Sequence, residues 1–563
     1  MTKKVLCLIF SVFLILSVFS GCSKAGEGEQ MVVSIDEAPQ YLDPQIVSEK
    51  GSRNIIANCF EGLVRYNNSG EIVPAGCEKY SVSSNGLTYT FNLRQDCFWK
   101  ITRAASKIVT DQAVSDKSEE ETTTAEISDY IDTRVTAQNY VFALRRVLQP
   151  ETKSPYAWSL MNIKNASSVN SGKKSSSKLG VYAKDDFTLV IELERRDDGF
   201  LSVLTSPACV PCNEEYFEYT RGHYGLSSEY LIFNGPFYIS SWSEKTAITA
   251  KKNDRYHTSY SEKETLVKPS SIYFSFNNEQ SSRGRKVKDG TYQAARLTLS
   301  QAEDAKENKN LSVYSFNSAV TGIIFNCNDS IVQNENIRKA IAQATDKKQI
   351  LKNSNKSAAL GIIPSDCMVC NVGYRTAAKS AQMPEYNVRK AIKSLKAGLD
   401  ELELNTVELK VLCSEENENM VRSVMQQWQS AFGVIFTVTV ETVEENALKS
   451  KINSGSYSVA FTDIESVDLF SESSISRFAS YSRDNFINFS DKKFDSIIKN
   501  ITKEGRAEKR ALAIRTAEEY LIAKGAIIPL YESEVFYATG KGVSGIVFSP
   551  TGEVLYYKDA LKK

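Results

Sequence analysis

A β-α-β pattern is clearest in residues 407–440, which read VELKVLCSEENENMVRSVMQQWQSAFGVIFTVTV. The two ends, Val407–Cys413 and Val434–Val440, are short apolar runs of the kind found in strands. Asn419–Phe432 between them has the apolar spacing of a helix. About 34 residues is the length of a crossover between parallel strands, so the stretch predicts an α/β fold.

The composition is that of an ordinary globular chain. Its 563 residues are 42% hydrophobic and 24% charged, which excludes a mainly disordered, collagen-like or coiled-coil protein. Lys plus Arg and Asp plus Glu number 68 each, so no global charge favours nucleic acid as a partner. With only His223 and His257, a histidine-rich metal site is not expected. The length favours several domains or fewer large lobes.

The N-terminus reads as an export signal followed by an anchor. Lys3 and Lys4 precede the uncharged apolar run Val5–Phe19, which is long enough for a signal peptide and short for a membrane span. Ser20-Gly21-Cys22 then resembles a bacterial lipobox, although Phe19 replaces the usual Leu. We therefore expect a signal peptide over residues 1–21, lipidation of Cys22 and a polar tether over residues 22–30. A plain secretory signal is the alternative.

Cysteine usage leaves several interpretations open. Removal of the signal and lipidation would leave nine of the eleven cysteines, so they cannot all pair within one chain. Two Cys-x-x-Cys pairs, Cys209/Cys212 and Cys367/Cys370, suggest a zinc site or a redox dithiol. The pairs lie far apart in sequence and outside any short βαβ unit. Buried thiols or local disulfides are therefore favoured, with no metal and no cofactor.

Local patterns predict further elements. Alternating residues on either side of Ser84-Asn85-Gly86 predict a hairpin, and Ala137–Leu148 has helical spacing. Helices are also predicted over Asn54–Arg65 and Asn336–Leu351. Residues 101–134 are rich in Ser, Thr and charge, which predicts an exposed insertion.

Eight short segments, taken in order, resemble the oligopeptide-binding family of extracytoplasmic solute-binding proteins that serve ABC importers. Each segment is weak alone, but their order and spacing together are specific, and they extend over nearly the whole mature chain. The segments are Leu42-Asp43-Pro44, Phe60-Glu61-Gly62-Leu63, Asn85 to Arg94, Ser154-Pro155-Tyr156-Ala157, Asn234-Gly235-Pro236-Phe237, Asn336 to Ile341, Phe494 to Ile498 and Ile528-Pro529-Leu530-Tyr531.

The resemblance implies a two-lobed, type II periplasmic-binding-protein-like hinge fold with an additional subdomain. Lobe I would comprise residues 31–53, 180–317 and 531–563, and lobe II residues 318–530. The extra subdomain would be residues 54–179, with the polar insertion 101–134 inside it. The chain would cross between the lobes near residues 313–322 and 526–531, and the lobes would close on ligand.

The same resemblance assigns ligand-binding residues and no catalytic ones. Ser48 and Glu49 match a segment that pairs with peptide backbone, and Phe142 an aromatic of the extra subdomain near the ligand. Asp468, or failing that Glu465, matches the carboxylate that holds a ligand α-amino group, because a buried ammonium needs such a partner. Tyr531 matches an aromatic facing the cleft. Residues 460–468 lack the family's Trp, so ligand specificity transfers least.

The implied function is a lipid-anchored, extracytoplasmic receptor that captures oligopeptides and delivers them to an ABC transporter. Its expected partners are the peptide, the permease subunits and the membrane, with no nucleic acid, and the protein is expected to be a monomer. The alternative is a peptide-sensing or surface interaction protein on the same fold. An enzyme is the weakest interpretation, since the chain has no Gly-x-Ser-x-Gly, His-Glu-x-x-His or P-loop pattern.

Overall fold

A computed structural model describes residues 28–47, 49–67, 69–115, 127–257, 267–276, 279–352, 354, 356–467, 469–482, 484–501 and 503–563. The strands, numbered along the chain, are β1 (Gln30–Ser34), β2 (Val64–Tyr66), β3 (Ile72–Pro74), β4 (Cys77–Val82), β5 (Thr88–Leu93), β6 (Val181–Asp185), β7 (Thr188–Glu192), β8 (Phe237–Ser243), β9 (Ala247–Lys252), β10 (Ser271–Ser275), β11 (Ala294–Leu297), β12 (Ser312–Phe325), β13 (Met368–Val369), β14 (Val372–Gly373), β15 (Val407–Ser414), β16 (Phe436–Val443), β17 (Val459–Glu465), β18 (Ile527–Thr539), β19 (Val543–Ser544), β20 (Val547–Phe548), β21 (Leu555–Tyr556) and β22 (Leu561–Lys562).

The α-helices alternate with these strands over much of the chain. They are α1 (Lys50–Cys59), α2 (Arg103–Ser115), α3 (Ala137–Leu148), α4 (Ala166–Asn170), α5 (Phe200–Val203), α6 (Glu214–Tyr219), α7 (Arg283–Lys288), α8 (Leu299–Lys306), α9 (Glu335–Gln343), α10 (Lys347–Leu351), α11 (Tyr374–Ala378), α12 (Val388–Leu402), α13 (Glu418–Phe432), α14 (Glu445–Asn453), α15 (Ser471–Ser476), α16 (Lys492–Ile501) and α17 (Ala507–Ala523).

One ten-stranded sheet runs through both lobes in the order β16-β15-β17-β12-β18-β11-β1-β10-β9-β8. The predicted β-α-β unit lies at its lobe II edge, where β15 pairs in parallel with β16 from Val407↔Phe436 to Ser414↔Val443. Helix α13 covers this pair, and Trp428 on the helix is fully buried. The indole N–H of Trp428 donates to Thr345 Oγ1 at 2.9 Å, which satisfies the polar atom that its burial removes from water. The α/β fold class is confirmed.

Two long strands connect the lobes. The first half of β12 pairs with the end of β18 beside β11, whereas from Ala319 onward β12 also pairs with β17 of lobe II. The register shifts between Phe316 and Ala319 opposite Val535 and Ser533, so the chain passes between the lobes at these positions. The first crossing lies inside the range 313–322 expected from the sequence. The second follows shortly after the range 526–531.

The extra subdomain is built on a four-stranded sheet in the order β4-β5-β7-β6, with α3 packed on it. Strands β6 and β7 lie beyond residue 179, so the small sheet extends past the boundary that we expected there. Buried side chains of this sheet, such as Phe91 and Leu189, belong to the same hydrophobic cluster as Phe274 of lobe I. Lobe I and the subdomain therefore share one continuous core.

Three of the predicted elements differ in the structure. The helix expected over Asn54–Arg65 is α1, which begins four residues earlier and ends at Cys59, because Phe60 is extended and the chain then enters β2. The helix expected over Asn336–Leu351 is two helices, since Asp346 caps the start of α10 by accepting from the Gln349 N–H. Residues 101–134 are not simply an exposed insertion. They contain α2, whose Ala105 and Val109 lie one turn apart on the same helix face and are fully buried in the core.

The cysteines of the described residues are all thiols, and all but Cys327 are buried. Local disulfides are therefore not found among them. Burial raises the pKa of Cys209 to about 12 and that of Cys212 to about 11, although the Arg146 guanidinium opposes the shift at Cys212. Such thiols stay protonated at neutral pH and act as small apolar groups. Within the described residues, no group of three or more His, Cys, Asp or Glu is arranged to hold a metal ion.

Candidate functional site

A cavity of about 830 Å³ lies between the two lobes. Lobe I contributes the ends of β1 and β11 and the start of α8, and lobe II contributes the ends of β15, β16 and β17 and the start of α14. The middle of β18 and Thr321 of β12 form its floor. The carboxyl ends of strands are where α/β sheets bind ligands, and the volume falls within the roughly 300–1,000 Å³ of small-ligand pockets.

Tyr531 lies in the floor of this cavity, on β18 opposite Thr321. Its side chain is buried, and burial raises its pKa to about 12, so it is a neutral phenol at all ordinary pH values. The Lys356 ammonium lies 5.1 Å from the centre of its ring, within the range of a cation–π contact. The structure thus places Tyr531 at the cavity, and its contact with a ligand stays a prediction.

Glu465 lies at the cavity too, and three cations of the chain surround it. The Arg296 guanidinium donates to its Oε1 at 2.8 Å, Lys449 Nζ lies 3.3 Å from the same oxygen, and the Lys50 ammonium contacts Oε2. Burial alone would raise its pKa, but Arg296, Lys449 and Lys50 outweigh burial and hold the pKa well below the usual range. In this conformation Glu465 is a charged carboxylate already compensated by both lobes.

Lys50, Glu553 and Arg296 were missed by the sequence analysis. Lys50 opens α1 and also contacts Glu553 Oε1 at 2.9 Å, a residue of the C-terminal segment that is almost wholly buried. The hydroxyl of Ser466, just past β17, donates to the same Glu553 oxygen at 3.3 Å. Nothing local in the sequence marks these residues, because their partners are hundreds of positions away.

The other residues predicted for the site lie in different parts of the chain, and some are outside its described part. Glu49 is the N-cap position of α1, and its Oε2 is buried without a hydrogen bond among the described residues. Phe142 lies on α3 with its ring 5.5 Å from that of Phe217, and it is not among the residues that line the cavity. Ser48 and Asp468 lie outside the described residues, as does Cys22.

The cavity lining is strongly acidic in an otherwise neutral chain. In the part of the chain that the structure describes, three basic side chains line it, namely Arg296, Lys356 and Lys449. The acidic side chains that line it are Asp36, Asp304, Glu415, Glu416, Glu444, Glu445, Asp463, Glu465, Glu532 and Glu534. The sequence analysis did not reveal this imbalance, because the acidic residues come from six separate stretches of the chain.

A family model described as "Bacterial extracellular solute-binding proteins, family 5 Middle" matches residues 71–486. The chain belongs to this family. Family 5 solute-binding proteins are extracytoplasmic binding components of transport systems rather than enzymes, and the cavity between the lobes suits binding without chemistry.

Curated relatives and solved structures extend the likeness over almost the full length. The dipeptide-binding protein DppE of Bacillus subtilis is 26% identical over 94% of this chain and 91% of its own length. The oligopeptide-binding protein OppA of the same organism is 25% identical over 99% and 98%. The substrate-binding domain of an oligopeptide ABC transporter from Bacillus anthracis superposes with a TM-score of 0.74 at 25% identity, over 96% of this chain and 100% of that one. The type II two-lobed fold is thereby confirmed.

The relative placement of the lobes is that of a closed molecule. One structure of the Escherichia coli murein tripeptide binding protein MppA matches this family 5 chain with a TM-score of 0.74, and the unliganded open form of MppA matches with 0.57. Both are 19% identical to this chain, and the lower score is that of the open form. The ion pairs of Glu465 to Lys50 and Arg296 therefore belong to the closed arrangement.

Among the described residues, no helix combines the length and apolar character that crossing a bilayer requires.

Proposed function

We propose that this family 5 protein is a membrane-tethered, extracytoplasmic receptor that captures oligopeptides between its lobes and delivers them to an ABC transporter. The observation that carries the proposal is the cavity between the lobes, lined by strand ends of both and floored by the two crossing strands. A ligand held there touches both lobes at once, so its binding energy favours the closed arrangement. The relatives named for dipeptides and oligopeptides support a peptide as the ligand.

Peptide recognition would use the residues that the family resemblance indicates. Tyr531 would offer an aromatic floor, and Ser48 and Glu49 would face the peptide backbone. Asp468 would hold the ligand ammonium, because Glu465 is already compensated by cations of the chain. Main-chain hydrogen bonds to an extended peptide tolerate varied side chains, which suits a nutrient receptor.

Two measurements test this function. The first is mass spectrometry of ligands released from protein purified from its own cell, followed by calorimetry with the same ligands; we expect short peptides that bind one per protein. The second is uptake of a labelled peptide by cells with and without the gene. Binding without any loss of uptake would contradict delivery to a transporter and favour a sensing role. Failure to bind any peptide would reject the proposal.

A further inference from the structure

The charge of the cavity separates into a compensated part and an uncompensated part. Glu465 and Asp36 are paired with Arg296, which lies 2.8 Å from the first and 3.1 Å from the second, and with neighbouring cations. Burial opposes the ionised form of Asp36, but Arg296 and Arg283 lower its pKa far below the usual range. Among the described residues that line the cavity, Lys356 and Lys449 are the cations left beside the other eight acidic side chains, and Glu532 also interacts with Arg375 and Lys347 from outside the lining.

Carboxylates in the uncompensated part repel one another. Burial raises the pKa of Glu445, and the charges of Asp463 and Glu465 add to the rise in spite of Lys449 at 3.8 Å. Asp463 accepts hydrogen bonds from Thr321 and Ser533 but forms no ion pair among the described residues. Asp463 lies on β17 and Glu445 at the start of α14, and closure excludes water from around both, so the empty closed cavity carries an electrostatic cost.

The start of α14 shows how the site excludes anions. A helix N-terminus attracts a carboxylate or phosphate of a ligand. Here the N-cap residue Glu444 and the first helical residue Glu445 are themselves acidic and line the cavity. Glu444 makes no side-chain hydrogen bond to the helix, but the two carboxylates place negative charge beside the helix start and so disfavour a ligand anion there. Exposed Glu416 and Glu534 at the rim extend the negative potential outward, and a cleft lined by one sign of charge concentrates ligands of the opposite sign.

We propose that the cleft selects ligands with two or more positive charges, namely short peptides rich in Lys or Arg. This inference rests on the peptide-binding function proposed above. A cationic peptide supplies the charge that the cavity lacks and removes the repulsion that opposes closure. Neutral peptides gain only backbone and shape contacts, and acidic peptides meet repulsion.

The test is calorimetry of the wild-type protein with four ligands. Trilysine, trialanine and triglutamate are peptides whose side chains are positive, neutral and negative, and spermidine is a polyamine that is positive but has no peptide backbone. We expect trilysine to bind at least about tenfold more tightly than trialanine and to weaken about tenfold between 50 and 500 mM NaCl. Triglutamate should bind most weakly. Spermidine should bind more weakly than trilysine, because it lacks the peptide backbone.

A matched set of variants assigns the effect to the cavity. Glu416→Gln combined with Glu444→Gln should weaken the binding of trilysine about tenfold and change the affinity for trialanine by less than about twofold. Glu408 is an exposed residue near the start of β15, and Glu408→Gln should change the affinity for neither peptide. Equal affinity for trilysine and trialanine, or trilysine binding that ignores salt, overturns the charge preference and leaves the peptide-binding function standing. Spermidine binding in the absence of any peptide binding overturns the proposed function itself.

Discussion

A single carboxylate, Glu465, is held by a cation on α1, a cation on β11 and a cation on α14. Two of these come from lobe I and one from lobe II, so the group acts as a bridge across the closed cleft. Removal of one partner from a buried ion pair of this kind strongly destabilises the folded protein, because the other charge stays buried without compensation. Glu465 is therefore a structural carboxylate of the closed arrangement, and the role of Asp468 as the carboxylate that holds a ligand ammonium stays a prediction.

Replacing Asp468 with Asn tests that division. We expect Asp468→Asn to weaken the binding of peptides with a free amino terminus about tenfold. The affinity for their N-acetylated forms should change little, because only the free amine is charged. Paired calorimetry with both forms of one peptide measures the difference. Glu465→Gln serves as the comparison, since it should lower the melting temperature and weaken both forms alike. Equal weakening of the two forms by Asp468→Asn would contradict the assignment.

At the scale of elements, a second contact joins lobe II to the segment between β7 and α5. Arg510 on α17 lies 2.8 Å from Asp197 and 3.5 Å from Glu472, and all three are buried. Next to this pair, the Asp198 N–H donates to the Gly505 carbonyl at 3.3 Å. Gly505 has to be glycine here, because a Cβ would lie 2.0 Å from the Arg196 carbonyl oxygen. Closure thus rests on a close backbone approach and a buried ion pair.

Arg510→Met should open the ligand-free molecule. The variant leaves Asp197 buried without its cation, at a cost of about 3 kcal/mol to the closed arrangement. We expect small-angle scattering of the ligand-free variant to give a larger radius of gyration than the wild type. Arg506→Met, an exposed residue of the same region, is the control. Identical scattering curves for Arg510→Met and wild type would show that this pair does not hold the lobes together.

At the scale of the whole molecule, buried carboxylates with paired cations make stability dependent on pH. Burial alone would raise the pKa of Glu61, but its hydrogen bond to His257, the charges of His257 and Arg65 and a hydrogen bond from Tyr256 lower the pKa to about 2. Because the folded pKa lies below the ordinary value of 4.5, the contribution is complete above that pH. It disappears as the pH falls from about 4.5 towards 2, and its size is about 3 kcal/mol.

Thermal unfolding of wild type and Glu61→Gln across pH 3 to 7 measures this contribution. We expect the variant to melt at a lower temperature than the wild type at pH 7. The difference between the two melting temperatures should narrow steadily as the pH falls below 4.5. The amide retains the shape of the carboxylate and removes its charge. A gap that stays constant over this pH range would show that the Glu61 charge is not what stabilises the fold.

The proposed attachment to the membrane through Cys22 has its own test. We expect Cys22→Ala to release the protein into the medium, because a lipidated N-terminus supplies about 0.8 kcal/mol of membrane affinity for each buried CH₂ group. Fractionation of cells and medium with an antibody measures the release. Retention of Cys22→Ala with the membrane would contradict lipid anchoring through this residue.

The sequence alone determined the α/β class, the β-α-β unit at residues 407–440, the hairpin around Gly86 and the family resemblance, because these depend on local periodicity and on short segments in order. The resemblance also named Tyr531 and Glu465, which line the cavity in the structure, and their contact with a ligand stays a prediction. Only the tertiary structure decided which charges meet. Lys50, Arg296, Glu465 and Glu553 are brought together by α1, β11, β17 and the C-terminal segment, and no local pattern encodes contacts between positions so far apart. The acidic character of the cavity has the same origin. The whole chain is neutral, and the excess of acidic over basic side chains arises only where the fold brings distant segments together around the cavity.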